Sequence, residues 1–220
     1  MFFMNMVFSV MGLIGGLLCC VGDILFDYKG AGNKKLGTSK NIDSNWLKMS
    51  EWRFGASILC AMFGVIGVGL GFYSLFDIMR DENYILAFIM MLTAYIGTVG
   101  GFFVHSIVCI QAVIYKRIMS KGDNFEIADY TLEGLYKTVK IPFAVLYIIL
   151  MTADICVVIA VLSGALAVPK FMALLNSILF LIIGVIMRKI DPVKFQDLPG
   201  IIMPSLGLAM VGLIGIVALI

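Results

Sequence analysis

The chain of 220 residues contains six long apolar stretches, separated by shorter segments that hold most of its charged residues. A helix needs about 20 residues to cross a hydrocarbon layer of roughly 30 Å, and most of these stretches reach that length. Together they leave no room for a separate soluble domain. We therefore predict an all-α polytopic integral membrane protein, folded as one domain that is a bundle of six transmembrane helices. The predicted spans are residues 2–26, 54–76, 85–115, 141–168, 171–187 and 201–220.

The positive charges are unevenly distributed between the loops. Of the 16 Lys and Arg residues, all except Arg80 and Lys170 follow the first, third or fifth predicted span. Loops rich in these cations stay in the cytoplasm because positive charge resists translocation. The distribution predicts that the odd-numbered loops are cytoplasmic and that both termini are outside. The net charge of +2 is too small to indicate nucleic acid as a partner, whereas anionic lipid headgroups suit these loops.

Two of the cytoplasmic loops carry apolar residues at helical spacing. Residues 125–139 place their apolar side chains on one side of a helix and their charged side chains on the other. Ile42, Trp46 and Met49 form a shorter apolar stripe in the first loop. These patterns predict amphipathic interfacial segments that lie along the inner membrane surface.

Small residues mark the helix faces that pack together. In the second span, Gly64, Gly67 and Gly71 repeat at spacings of three and four, and the first, third and fourth spans carry similar stripes. Small side chains let two helix backbones approach closely inside a membrane. The pattern predicts that the first four helices form the centre of the bundle.

The residue patterns of several chemistries are missing. All five cysteines fall inside predicted spans, without the CxxC or Cys/His spacing of metal sites. Ser163 and Gly164 lack the preceding glycine of the Gly-x-Ser-Gly motif in rhomboid proteases, and they follow the single histidine rather than precede it. The sequence therefore shows no disulfide framework, no nucleophilic hydrolase motif and no evident cofactor site.

Ionisable side chains inside predicted spans are the main candidates for function. Each costs about 2.5–3.5 kcal/mol on membrane-insertion scales, so its presence calls for an explanation. Asp23, His105 and Asp154 are of this kind, and Gln111 and Tyr147 lie at comparable depths in the predicted helices. These five residues predict a polar intramembrane pocket or proton relay that opens toward the cytoplasm, in which His105 and Asp154 are partners.

A second pattern lies at the end of the first span. Asp23 and Asp27 are four residues apart and therefore share one helix face. Two carboxylates in this position suit Mg²⁺. The next segment is rich in glycine and lysine, and its backbone N–H groups and ammonium groups suit a phosphate or a lipid headgroup. The lysines of this predicted anion site are Lys29, Lys34 and Lys35.

Three functions stay open at this point. The favoured one is binding or translocation of a small or amphipathic solute, coupled to protons, with membrane lipids and that solute as partners. The first alternative is a membrane-embedded lipid- or isoprenoid-modifying enzyme that uses Asp23, Asp27 and Mg²⁺ together with the Gly/Lys loop. The second alternative is a non-catalytic accessory subunit. The sequence also leaves the oligomeric state open.

Overall fold

The protein is almost entirely helical. The computed structural model describes residues 2–220, apart from the side chains of residues 199 and 201–204, and within that range the chain forms six α-helices. Two 3-10 helices (Ser44–Lys48 and Lys170–Leu174) and a small antiparallel sheet complete the fold. The predicted all-α class is confirmed. The elements are α1 (Phe2–Asp27), β1 (Lys35–Leu36), β2 (Ile42–Asp43), α2 (Trp52–Met79), α3 (Tyr84–Met119), α4 (Phe125–Ser163), α5 (Ser177–Ile190) and α6 (Leu198–Ala218).

Four of the helices are suited to cross a membrane. Helices α1 to α4 are each long and apolar enough to do so. Their outward faces carry large exposed apolar side chains, such as Phe63 at 60% exposure. Soluble proteins rarely expose an apolar surface of this extent to water. Helix α5 has only 14 residues and is about 21 Å long, less than the roughly 30 Å of a hydrocarbon core. The described side chains of α6 cover the short apolar stretch Ser205–Ala218. Among the described residues, four of the six predicted spans therefore correspond to helices that could cross a membrane, and the six-span bundle is not confirmed.

The helix in the fifth predicted span is short because local residues end α4 and cap the start of α5, and hydropathy does not detect such helix ends. Helix α4 ends at Ser163, since Gly164 follows with a φ of 89°, a left-handed conformation typical of helix C-termini. Helix α5 begins only at Ser177, because the Asn176 side chain accepts a hydrogen bond from the Leu179 N–H (3.0 Å). The intervening residues fold as turns and a 3-10 helix.

Helices α3 and α4 are much longer than a membrane core. They contain 36 and 39 residues, which correspond to about 54 and 58 Å. The predicted amphipathic helix over residues 125–139 is therefore not a separate segment along the membrane. It is the first part of α4, which continues through Pro142 without a break. Its apolar residues Ala128 and Leu132 are fully buried, because they pack against the first loop instead of against lipid.

The first loop, residues 28–51, is folded and covers one end of the bundle. We call it the docked loop, and the end that it covers the loop end. Trp46 and Ile42 pack with Phe26 of α1 and Tyr115 of α3 in a small apolar core. The Lys116 ammonium group donates to three backbone carbonyls of the loop at 2.7–3.2 Å. The loop is thus packed against the helices and hydrogen-bonded to them. Its Ile42–Met49 stripe folds as a strand and a 3-10 helix rather than as an amphipathic α-helix.

The helices follow one another around the bundle in the order α4, α3, α2, α1, α6 and α5. Each packs closely on the next, and α1 lies between α2 and α6. Helices α4 and α5, at the two ends of this order, barely touch. We call the gap between them the α4–α5 seam. The predicted centre of the bundle is only partly right, because α6 packs on α1 as closely as the first four helices pack on one another.

Glycines set the distance between α1 and α2. A Cβ atom added at Gly12 would lie 2.7 Å from the Cα of Gly71, and one at Gly15 would lie 2.8 Å from the Cα of Gly67. Backbone atoms cannot move aside as a flexible side chain can. The two helices therefore touch only because these positions lack side chains.

Replacing Gly67 with alanine is expected to destabilise the protein by about 1–3 kcal/mol, the usual cost of overpacking. The added Cβ would lie 2.5 Å from the Met11 carbonyl oxygen and 2.9 Å from the Cα of Gly15. The matched control is Gly69→Ala on the same helix, where an added Cβ meets nothing within 4 Å. Thermal unfolding of both variants in detergent measures the difference. Equal stabilities would contradict the close packing of α1 on α2.

Candidate functional site

A cavity of about 480 Å³ lies inside the bundle and is lined by all six helices and the docked loop. Ligand pockets generally measure 300–1,000 Å³ and are mostly apolar with a few polar groups. The cavity fits that description. Its deep part is lined by Val65, Leu150 and Leu208, and its polar groups gather toward the loop end. Those polar groups include Asp23, Asp27, Lys29, Asp43, His105 and Tyr147.

Asp23 and His105 lie next to each other in the wall of this cavity. The Asp23 carboxyl group lies 3.7 Å from Nδ1 of His105, and its other oxygen accepts a hydrogen bond from Ser205 Oγ of α6 at 2.5 Å. On its other side, His105 Nε2 lies 2.8 Å from Ser57 Oγ of α2. Four helices therefore hold the pair, and both members line the cavity.

The hydrogen bonds of Ser57 determine where the protons of this pair lie. The Ser57 hydroxyl donates its single proton to the Gly22 carbonyl oxygen (2.7 Å). It therefore accepts from His105 Nε2, which carries a hydrogen. The free lone pair of Nδ1 then faces the Asp23 carboxyl group, unless His105 is doubly protonated. The pair can hold one further proton, either on Asp23 or as an imidazolium beside a carboxylate.

The order Asp23, His105, Ser57 matches that of a hydrolase triad, but it cannot work as one. A serine nucleophile must be exposed to its substrate and must give its proton to the histidine. Ser57 is fully buried, is not part of the cavity wall and has its proton committed to a backbone carbonyl. The arrangement therefore favours proton holding over acyl transfer.

A second polar cluster lies at the mouth of the cavity. Lys29 Nζ is 2.7 Å from Asp27 and 3.7 Å from Asp43, and Lys35 Nζ is 3.0 Å from Asp43. The Asp43 carboxylate also accepts from the Asn33 side chain at 2.6 Å. Asp43 is 2% exposed and the Lys29 side chain 7%, so their charges are compensated inside the protein.

Lys29 stays positively charged at neutral pH. Burial by itself would lower the pKa of the Lys29 ammonium group. The neighbouring carboxylates outweigh this effect, with Asp27 first and Asp43 next, and they raise the pKa above the ordinary lysine value. A permanently charged lysine in this position holds the docked loop to the end of α1.

Two of the predicted pocket residues lie elsewhere. Asp154 is 1% exposed, does not line the cavity and accepts the backbone N–H of Ser177 (3.1 Å) at the start of α5. It shares the helix face of Tyr147, but two turns farther from the loop end, where the start of α5 covers it. Gln111 is also buried outside the cavity, because six residues along a helix from His105 turn it to another face. His105 and Asp154 are therefore not partners.

The family to which this protein belongs can now be given. The model of a protein family described as a family of unknown function (DUF6796) matches residues 1–220. The chain belongs to the DUF6796 family. No curated protein and no solved structure matches it.

The residues of this DUF6796 member do not fit the predicted magnesium site. Mg²⁺ takes several oxygen ligands in octahedral geometry. Among the side chains that the structure describes, no group of three or more His, Cys, Asp and Glu residues could hold a metal ion. The Asp27 carboxylate is ion-paired with the Lys29 ammonium group at 2.7 Å, and this positive charge repels a metal cation. Asp23 is bound by Ser205 and His105.

The predicted anion site is filled by the protein itself. The backbone N–H groups of Lys29 and Gly30 both donate to one oxygen of Asp197 (2.9 and 3.2 Å). Lys34 is exposed and does not line the cavity, and Lys35 is paired with Asp43. A phosphate would have to displace the Asp197 carboxylate from this position.

Sequence reasoning missed several polar residues of the DUF6796 cavity. Asp43, Asn41 and Trp46 come from the docked loop, where the sequence predicts an interfacial segment, and Ser205 comes from α6. The available signal was the tight spacing of Asn41, Asp43 and Asn45 beside Trp46, which is unusual for a solvent-exposed linker. That spacing gives no indication of which helix the loop covers.

Proposed function

We propose that this protein binds a small amphipathic molecule inside the membrane and moves it between the bilayer and the cytoplasmic side. The observation that carries the proposal is the cavity of about 480 Å³, apolar in its depth and polar at the loop end. Such a division suits a molecule with an apolar chain and a polar head.

The α4–α5 seam supports entry from the lipid. The wall of the cavity next to this seam consists of Phe143, Leu146 and Tyr147 of α4 and Leu181 of α5. Phe143 is 40% exposed, and α4 and α5 barely touch. An apolar chain can pass such a seam without exposing polar backbone groups, because both helices satisfy their own hydrogen bonds.

The proposal sets the loop end in the cytoplasm. Residues 28–53 and 116–140, which lie at this end, hold 11 of the 16 Lys and Arg residues, and segments rich in these cations stay on the cytoplasmic side. The polar end of the cavity then opens inward, with both termini outside.

The Asp23–His105 pair supplies the coupling to protons in this proposal. The two residues line the cavity, and together they can hold one exchangeable proton. A molecule that passes them changes the environment of that proton. Tyr147, whose ring is tilted against that of Phe143 with centroids 4.8 Å apart, also lines the cavity.

The test uses purified protein in proteoliposomes and single-chain lipids with a fluorescent tag on the chain. We expect the wild-type protein to accelerate release of at least one probe from the bilayer into the water on the side of the loop end, and a pH gradient to change the rate. Asp23→Asn is expected to lower the rate about tenfold, the equivalent of roughly 1.4 kcal/mol.

The matched control is Asp154→Asn, a buried aspartate outside the cavity that keeps its acceptor oxygen for Ser177. It should move the probes at the wild-type rate. If no probe moves faster than in protein-free liposomes, the transport proposal fails. If Asp23→Asn matches the wild type, the proton role of the Asp23–His105 pair fails.

A further inference from the structure

We infer that the loop end of the cavity is a binding site for the head of an uncharged amphiphile that carries hydroxyl groups, such as a monoacylglycerol. The inference rests on the proposed function and names the class of ligand. It is drawn from two buried polar atoms of the docked loop that no described protein group satisfies.

The first atom is a hydrogen-bond donor. Trp46 is 2% exposed and lines the cavity. Its ring packs between Phe26 and Tyr115, with centroid distances of 6.2 Å to each. The indole N–H is buried and has no hydrogen-bond partner among the residues that the structure describes. A buried Trp N–H is usually paired, since an unpaired donor is costly.

The second atom is an acceptor. The Asn41 amide is oriented by its NH₂ group, which donates to the Leu132 carbonyl oxygen of α4 at 3.1 Å. Its Oδ1 atom, on the other side of the amide, is buried and unpartnered within the described part of the chain. Asn41 also lines the cavity. A hydroxyl group can accept from the Trp46 N–H and can donate to the Asn41 Oδ1 atom, so a head with two hydroxyl groups offers a partner for each.

The surrounding charges favour an uncharged head. Lys29 and Lys35 are each paired with an aspartate, and Asp23 is paired with Ser205 and His105. A phosphate head would find no unpaired cation among Lys29 and Lys35, and a phosphate or an ammonium head would lose its hydration on entering. A hydroxyl head loses less, and the apolar depth of the cavity accommodates its chain.

The experiment measures binding of monooleoylglycerol to the purified full-length protein in detergent by native mass spectrometry. The comparison ligands carry a monounsaturated chain of the same length. They are oleyl phosphate, oleylamine and the dimethyl ether of monooleoylglycerol, whose oxygens accept hydrogen bonds but cannot donate them. Free glycerol is included to separate the head from the amphiphile. We expect monooleoylglycerol to bind tightest and the dimethyl ether about tenfold more weakly, the usual effect of one lost buried hydrogen bond.

The protein-side variant is Trp46→Phe, which keeps an aromatic ring and removes the N–H. The matched control is Trp52→Phe, because Trp52 is 65% exposed and does not line the cavity. We expect Trp46→Phe to weaken monooleoylglycerol binding about tenfold and Trp52→Phe to leave it unchanged.

The outcomes separate this inference from the proposed function. The head-group assignment is overturned if oleyl phosphate or oleylamine binds as tightly as monooleoylglycerol. It is also overturned if Trp46→Phe binds like Trp52→Phe, or if free glycerol binds as well as the lipid. The comparison of monooleoylglycerol with its dimethyl ether needs no mutation. It tests the head-group assignment if Trp46→Phe does not fold. If no oleyl ligand binds, the proposed function fails as well.

Discussion

Replacing Asp43 with alanine is expected to lower the free energy of unfolding by about 3 kcal/mol, because it removes one member of a buried ionic cluster. Asp43 is 2% exposed and binds Asn33 at 2.6 Å and Lys29 at 3.7 Å. Lys29 would keep Asp27 at 2.7 Å, so the expected loss is at the lower end of the range for buried pairs. The contact with Lys35 adds little, since that side chain is 54% exposed.

The measurement is thermal unfolding in detergent together with hydrogen exchange of the backbone. Exchange should accelerate over the docked loop, which Asp43 ties to the end of α1, and much less in α2. The control is Asp81→Ala, because the Asp81 side chain is 90% exposed and lies 3.9 Å from Arg80. This control should change stability by less than about 0.5 kcal/mol. Equal effects of the two variants would show that the docked loop does not depend on its ionic cluster.

Replacing Asp154 with alanine is expected to cost about 2 kcal/mol, because the N–H of Ser177 loses its buried acceptor. The effect should be concentrated at the start of α5. Helices α4 and α5 barely touch elsewhere, so this hydrogen bond is a main link between them. Hydrogen exchange at Ser177 and in the first turn of α5 measures the loss.

Asp154→Asn distinguishes a hydrogen-bonding role from an ionic one. The asparagine keeps an acceptor oxygen and should cost less than about 1 kcal/mol, whereas the alanine variant removes it. If asparagine is as destabilising as alanine, the charge of Asp154 matters and the assigned role is wrong. The prediction contrasts with the sequence-based hypothesis that Asp154 is a proton-relay partner of His105.

The differences between sequence and structure have specific physical origins. Helical spacing correctly indicated that Gly64, Gly67 and Gly71 of α2 face inward, because a repeat of small residues identifies a packing face without knowledge of the partner. The same spacing misread residues 125–139, since an amphipathic face looks alike whether it lies on a membrane or packs against a loop. The length of α5 was overestimated, because hydropathy does not register the capping of a helix by Asn176.

The candidate site shows the same division. An ionisable side chain in an apolar span is costly to insert into a membrane, and by this criterion Asp23, His105 and Asp154 are equal candidates. The criterion does not show which groups each side chain contacts. The structure gives Asp154 the start of α5 as its neighbour and gives Asp23 and His105 the cavity. The unpaired atoms of Asn41 and Trp46 could not be anticipated, because a missing hydrogen bond exists only in three dimensions.

The sequence by itself determined the helical class, the apolar outer surface and the close glycine contact of α2, since these depend on local composition and spacing. It also determined which residues are costly to bury. Only the tertiary structure decided how residues 28–51 close the loop end and which costly residues share a cavity. Those outcomes depend on contacts between segments far apart in the chain, such as Asp23 with Ser205, which local pattern does not encode.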